Sequence, residues 1–469
     1  MLFSDQPGDE GLPGPQRRLA MIAVMMTTAM TVCDASMVNV ALPQIAKSMQ
    51  VQASEVVWVS NGYLLAAAMT LAIFAALATR VGFRHQFPCG IAIFTLSSLG
   101  CALSHTPEML ITMRVIQGIG AATTLSIGPA IMRSIFPNRL LGRILGMNAL
   151  LVASSTALSP LLGGTLLSAL SWQWLFAINL PPGIIAMTLA WKVLPERKKK
   201  ITERFDVIGA VLSAIIPGSL IMAADSFALR ANQHFSSEIV LRALGFLALA
   251  LLAGLGFVLS QKWVTKPLLP LSIFRSSRFS LAALTSMSSF VSQGITFIAL
   301  PFLFQNVYGY SALVSALLFT PWPLGIILAA PHAGRLSDRI RPAIISTTGL
   351  ALFALGLLLL ATLPEHASVV DICLRSLVCG IGFGCFQSPN NREMLSNVSR
   401  ENSSYASGIL AIMRMFGQCM GSACIGVILA LFGQQTLSSE SHAVHTALWF
   451  AVISCLLAMA ASISRLRQS

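Results

Sequence analysis

Charge is what this sequence has least of. Lys, Arg, Asp and Glu make up 10% of its 469 residues, against about 25% in soluble domains. Apolar residues make up 55%, so an ordinary soluble protein is excluded and lipid becomes the solvent. Where water does not reach, backbone amides pair inside the chain, and apolar runs of about 20 residues fold as helices. The same runs exclude a strand barrel. No glycine-rich phosphate loop followed by Lys is present, so an ATP-driven pump is not supported. No nucleophile and base cluster stands out, and no enzyme is expected. The nine cysteines, at 33, 89, 101, 373, 379, 385, 419, 424 and 455, form no C-x-x-C pair and read as small core residues. Only His442 and His445 are spaced to share a metal; they fall in an expected polar outer loop without a third ligand, so no metal site is expected. The formal charge of +13 points to nucleic acid only where a soluble domain offers a basic face, and none is available. Residues 1–18 lack an apolar stretch with a small-residue cleavage site. They read as a loose cytoplasmic tail, with the first helix as an uncleaved anchor.

What is present is a succession of apolar windows bounded by charge, Pro or Gly. They place spans near 19–41, 57–78, 87–104, 109–132, 141–168 and 173–194, then 206–225 and 239–260, then 279–303, 311–333, 343–363, 369–389, 404–432 and 444–464. The expectation is an all-α integral membrane protein of fourteen spans. Residues 19–194 form one six-helix bundle, 195–278 two added central helices with basic linkers, and 279–464 a second six-helix bundle, with 465–469 as a short cytoplasmic tail. With the amino terminus inside, the inner loops collect 23 of the 30 basic residues. The outer loops keep Lys47 and Arg230. That bias puts both termini in the cytoplasm of a multi-pass plasma membrane protein, a bacterial inner membrane being the expected setting. The run Arg197–Lys200 reads as a topology anchor, with an anionic-lipid site as the alternative.

The loop after span 2, Ala75 to Arg84, and the loop after span 10, Gly334 to Arg341, hold the same place in each six-helix block. Two like halves around a midplane site is the plan of a transporter that rocks one half against the other. These loops resemble the G-x-L-A-D-R-x-G-R-K/R signature of the major facilitator superfamily. The stretch Asp34 to Pro43 resembles the first-helix motif of its fourteen-span drug:proton antiporters, the EmrB/QacA type. Arg114-Val-Ile-Gln117-Gly118 is similar to the family's R-x-x-Q-G. Pro160 to Gly164, and Trp172 to Pro181, match the antiporter helix and the stretch leading into span 6. The departures are Ala75 for Gly, Thr79 for the acid, and Ser155 and Ser159 for glycines. The resemblance implies a major facilitator fold and proton-coupled efflux of lipophilic, cationic drugs or toxic compounds. The gradient then supplies the energy and no cofactor is needed. Export of a specific metabolite or siderophore, a transport-dead sensor and a membrane enzyme are the alternatives. Expected partners are a small-molecule substrate, protons and lipids; an adaptor protein is encoded in no legible motif.

Ionisable side chains deep in a span cost free energy and ask for a purpose or a partner. Asp34, past the midplane of span 1, is pulled toward its acid form by desolvation and toward its ionised form by any nearby cation. It is expected to alternate between the two while a cationic or polar substrate competes with the proton. Arg114 cannot lose its proton; it reads as a structural clamp to Asp34 or to backbone carbonyls or, as the resemblance implies, as part of proton coupling. Asn39, Gln117, Arg414, Met30 and Phe297 are expected to line the substrate cavity. Arg80, Arg84, Asp338, Arg339, Pro160, Gly163 and Gly164 are expected in the gates. Asp371 and Arg375, four apart on a helix, read as a structural pair, and Asp225 and Arg242 as interfacial. Pro389 is expected to end span 12 beside a Gln387–Asn391 inner gate. Trp58, Trp172, Trp174 and Trp449 read as the aromatic belt.

Overall fold

The computed structural model describes residues 11–194, 205–228, 237–264, 267–337, 339–364, 367–398, 403–433 and 436–467. Their regular structure is helical: α1 (Gly14–Met49), α2 (Ala53–Val81), α3 (Phe83–Ala102), α4 (Pro107–Leu125), α5 (Gly128–Ile135), α6 (Asn138–Ala169), α7 (Trp174–Ala177), α8 (Leu180–Val193), α9 (Val207–Ala228), α10 (Ser237–Trp263), α11 (Ser277–Phe302), α12 (Ala312–Phe319), α13 (Pro321–Leu336), α14 (Pro342–Ala361), α15 (Val369–Ser396), α16 (Ser403–Phe432) and α17 (Leu437–Leu466). Thirteen stretches among the described residues are long and apolar enough to cross a membrane; α4–α5, α7–α8 and α12–α13 each form one of them. The span expected near 87–104 is α3, 20 residues long, whose first turns carry Arg84, His85 and Gln86. It falls outside the thirteen and packs between α4 and α8.

Helix starts follow capping chemistry. Ser276, Ser311 and Ser368 each accept the amide of the residue three positions on, at 3.4, 3.3 and 3.2 Å. Prolines do not stop these helices: Pro43, Pro160 and Pro389 lie inside α1, α6 and α15. The expectation that Pro389 ends its span is corrected, since α15 runs on to Ser396. α15 packs on both α13 and α14, and such neighbours commonly support a Pro within a membrane helix. His442 and His445 likewise lie within α17 rather than a loop. His445 Nδ1 stands 3.0 Å from the Ala361 carbonyl, and no group of metal ligands occurs among the described residues.

The pairing of helices repeats. In the first half α2 packs on α4, α3 on α4, α1 on α6 and on α8, and α3 on α8; in the second α13 packs on α15, α14 on α15, α11 on α16 and on α17, and α14 on α17. Across the halves α2 meets α16, and α6 meets α12 and α13, so second and fifth spans exchange partners about a pseudo-two-fold axis. α9 and α10 pair with each other, and α9 leans on α2 and α16. Trp58 donates to Asp225 at 2.8 Å across that contact, so both residues join helices rather than face lipid headgroups. Trp172 is also buried, donating to Ser48 at 3.2 Å, whereas Trp174 and Trp449 are exposed.

Small residues let these helices approach, as in other membrane bundles. A side chain on Gly118 would strike the Tyr63 carbonyl oxygen, and one on Gly164 would come within 2.6 Å of Ala316 Cβ. That second contact joins the halves at the end away from the chain termini. There Gln305 Nε2 also donates to the Val40 carbonyl at 2.7 Å, and Cys419 Sγ stands 3.0 Å from Asn61 Oδ1 nearer mid-bundle. Gly118→Val is expected to part α2 from α4 and cost roughly 1–3 kcal/mol. Gly254→Ala, where nothing stands within 4 Å, is expected to gain about 0.5–1 kcal/mol of helix propensity. Thermal unfolding of the two purified variants in one detergent reads both outcomes.

Candidate functional site

Asp34 and Arg114 lie across α1 and α4, both without exposed surface. One carboxylate oxygen takes Arg114 Nη1 at 2.5 Å; the other takes Asn179 Nδ2 at 2.8 Å and Gln117 Nε2 at 3.1 Å. Gln117 follows Arg114 by three residues, hence shares its helix face, and accepts a second bond from Arg114 Nη1 at 2.6 Å. Ser98 on α3 accepts from Gln117 at 2.7 Å, and the Val59 carbonyl on α2 accepts Arg114 Nε at 2.9 Å. The guanidinium also lies over the Tyr63 ring, 4.3 Å from its centroid, a cation–π contact that strengthens where water is excluded. Arg114 Nη2 remains buried without a hydrogen-bond partner. Removing one member of such a pair costs about 3–5 kcal/mol, because the other charge is left without compensation.

Tyr63 separates this network from a cavity of about 540 Å³ between the two halves, a size that holds a small organic ligand. Its hydroxyl donates to the Thr31 carbonyl at 3.3 Å. Thr31, Ala35 and Asn39 of α1 face the cavity, with Phe290, Gln293 and Phe297 of α11, Phe383 of α15, and Arg414 and Gln418 of α16. Gln418 donates to Gln293 at 2.9 Å, and Ser60 donates to Asn39 at 2.8 Å. The walls continue to Pro331, Asn391 and Leu410, toward the end of the bundle where α1 begins and α17 ends.

Of the residues expected in the cavity, Asn39, Phe297 and Arg414 line it and Gln117 and Met30 do not. The reason is helix periodicity. Met30 lies one turn before Asp34, on the face turned to the network, while Asn39 lies half a rotation away. Gln117 is spent on Asp34 and Arg114. The picture of a cationic substrate touching Asp34 is therefore corrected: the carboxylate has no surface in the cavity, and no acidic residue lines it among the described residues. Ser98 and Tyr63 were not singled out by the sequence, and Asn179 stood within the Trp172–Pro181 stretch without a role. An amide or phenol deep in an apolar run is costly unless bonded, and that signal could have flagged Asn179 and Tyr63.

The expected gate residues are dispersed. Arg80 lies 5.1 Å from the Phe205 ring centroid and donates to the Ala76 carbonyl at 3.2 Å; Arg84 is half-buried and Arg339 exposed. Asp338 lies outside the described residues. Pro160, Gly163 and Gly164 are buried on α6. A side chain on Gly163 would meet Met37 of α1 at 3.3 Å, so the two glycines bring α6 against α1 and α12. Asp371 and Arg375 pair at 2.8 Å as expected of a structural contact.

Comparison with known proteins agrees with this architecture. The transporter YebQ of Escherichia coli (strain K12), itself uncharacterized, is 39% identical over 459 residues, covering 98% of this chain and 97% of its own. The multidrug resistance protein Stp of Mycobacterium tuberculosis (strain CDC 1551 / Oshkosh) is 30% identical over 429 residues, covering 90% of this chain and 78% of its own. A solved bacterial homologue of the human lysosomal transporter Spinster, inward-facing and unoccupied, shares the fold at a TM-score of 0.70 and 15% identity, covering 97% of this chain and 98% of that one. The family model of the Major Facilitator Superfamily matches residues 24–422 and 324–465. The chain thus belongs to the major facilitator superfamily and is a transporter rather than an enzyme.

Proposed function

We propose that the protein is a proton-coupled exporter of lipophilic, drug-like compounds, working by alternating access with both termini in the cytoplasm of a bacterial inner membrane. On this reading α3 counts as a span and the total is fourteen, as in the drug:proton antiporters the sequence resembles. The observation that carries it is the buried Asp34–Arg114 pair standing one side chain, Tyr63, behind the cavity wall. A proton taken by Asp34 cancels the carboxylate's charge and leaves Arg114 to seek another acceptor, which links protonation to a change in how α1, α2 and α4 pack. The cavity, whose walls run toward the terminal end, loads from the cytoplasm; opening at the Gly164 contact releases substrate outside. Each proton moving inward yields about 2.3 kcal/mol per 100 mV. Export of one specific metabolite is the second reading, favoured by the Gln293–Gln418 amide pair in the wall, whose remaining donors and acceptor a wholly apolar compound would leave unmet.

Two outcomes test the proposal. In inverted vesicles carrying an imposed pH gradient, Asp34→Asn is expected to abolish gradient-driven uptake of a fluorescent substrate while energy-independent counterflow persists. Uptake that still follows the gradient in that variant would sink the assignment of Asp34. In a cysteine-free background, Asn391→Cys is expected to react with a membrane-impermeant maleimide from the cytoplasmic face and to be protected from outside. Labelling from outside alone would reverse the orientation.

A further inference from the structure

Arg414 is the one charged residue lining the cavity among the described residues, and it has neither a hydrogen-bond partner nor an ion pair among them. We propose that the cavity binds a lipophilic anion, an aromatic or alicyclic body bearing a carboxylate, sulfonate or phenolate, with Arg414 as its counter-ion; this rests on the export reading above. A guanidinium keeps its proton under all working conditions, and a cation held in a low-dielectric bundle demands an acceptor. The nearby carboxylate cannot serve. Asp34 is enclosed on the far side of Tyr63 and already taken by Arg114, Asn179 and Gln117.

The rest of the wall fits the same class. Gln293 spends its carbonyl on Gln418, which leaves its own amide N–H groups to donate to a second acceptor oxygen. Phe290, Phe297 and Phe383 offer ring surface for the apolar body. A cation in this cavity would meet an uncompensated positive charge and no carboxylate, so selectivity arises from repulsion as much as from attraction. The class also has an energetic consequence. An anion leaving in exchange for a proton entering moves positive charge inward twice, so export responds to membrane potential, whereas one-for-one exchange of a cation is electroneutral.

The test uses two probes of equal ring size, 2-naphthoate and 2-naphthylmethylammonium, and the full chain in lipid nanodiscs. Equilibrium binding is expected to favour naphthoate for the native protein. Arg414→Gln is expected to weaken naphthoate by about tenfold or more and to strengthen the ammonium, as the repulsion it meets is removed. Arg414→Lys should keep most of the affinity, and Arg414→Glu should reverse the preference. A native preference for the ammonium, or naphthoate binding that Arg414→Gln leaves intact, overturns the proposal. Thermal unfolding is compared across variants; where Arg414→Gln does not fold, the native preference and the Arg414→Lys and Arg414→Glu results decide. Because binding needs no gradient, the two readings fail separately. Naphthoate bound through Arg414 but not carried into inverted vesicles upholds the site and overturns export. Ammonium transport without naphthoate binding does the reverse.

Discussion

A carboxylate and a guanidinium that touch no water hold the first half of this molecule in register. Asp34 and Arg114 draw in Asn179 at the N-terminal cap of α8, the Val59 carbonyl of α2 and, through Gln117, Ser98 of α3, so most helices of that half converge on one pair of charges. Desolvating two ions is expensive, and the gain is real only where further hydrogen bonds meet the remaining lone pairs. Here the carboxylate accepts three donors. The guanidinium keeps one nitrogen unmatched, so the network is close to satisfied and has one place where it can be rearranged. The second half is built differently. Its buried pair, Glu393 with Arg465 at 2.9 Å, sits near the end that carries the termini, and the one charged residue it presents to the cavity among the described residues is the unaccompanied Arg414.

The fold was legible because hydropathy is a signal of length, and lipid tolerates few alternatives to a helix. Several windows drawn from apolar runs fall within longer helices, 19–41 inside Gly14–Met49 and 444–464 inside Leu437–Leu466, whereas 109–132, 173–194 and 311–333 each cover two helices with a break between them, and 87–104 and 343–363 run two residues past the ends of α3 and α14. Pro389 misled because the rule that Pro breaks a helix belongs to water, where the freed groups have no neighbouring helix to support them. The site was legible in part. Charge in a span marked Asp34, Arg114 and Arg414, but which face each occupies depends on helical phase. Grouping Met30 with Asn39 ignored nine residues of rotation, close to 180° at 3.6 residues per turn. Gln117, three residues past Arg114, could have been assigned to the charge network by the same arithmetic. Tyr63 stands out as a phenol in an apolar run, but its place beside the network does not follow from the sequence, since it depends on α2 passing between the network and the cavity.

The departures from the family pattern on α6 find a physical account. Ser159 returns its hydroxyl to the Ser155 carbonyl one turn back, so the side chain adds no unpaired polar group. That local bond is the usual way a hydroxyl is tolerated in a helix interior. Cys33 of α1 comes to 3.7 Å from the same Ser155 carbonyl, so α1 and α6 still pack closely where glycines would otherwise lie. Small residues therefore keep the geometry that matters at this contact, which is helix separation rather than backbone freedom. The nearby Gly163 preserves that separation from α1, and Gly164 the close approach to α12 where the two halves meet.

Tyr63 is where the two charge systems meet. Its ring faces Arg114, its edge belongs to the cavity wall, and its hydroxyl is held by the Thr31 carbonyl of α1. Within the proposed scheme, an anion beside Arg414 reduces the positive field at Tyr63 from the cavity side, while protonation of Asp34 increases the net positive charge behind it. The two events act on one side chain with opposite sign. Linkage then requires that each alters the free energy of the other, by an amount set by how far Tyr63 and Arg114 move between states. Coupling of this form needs no contact between substrate and Asp34, which is consistent with a carboxylate that has no surface in the cavity.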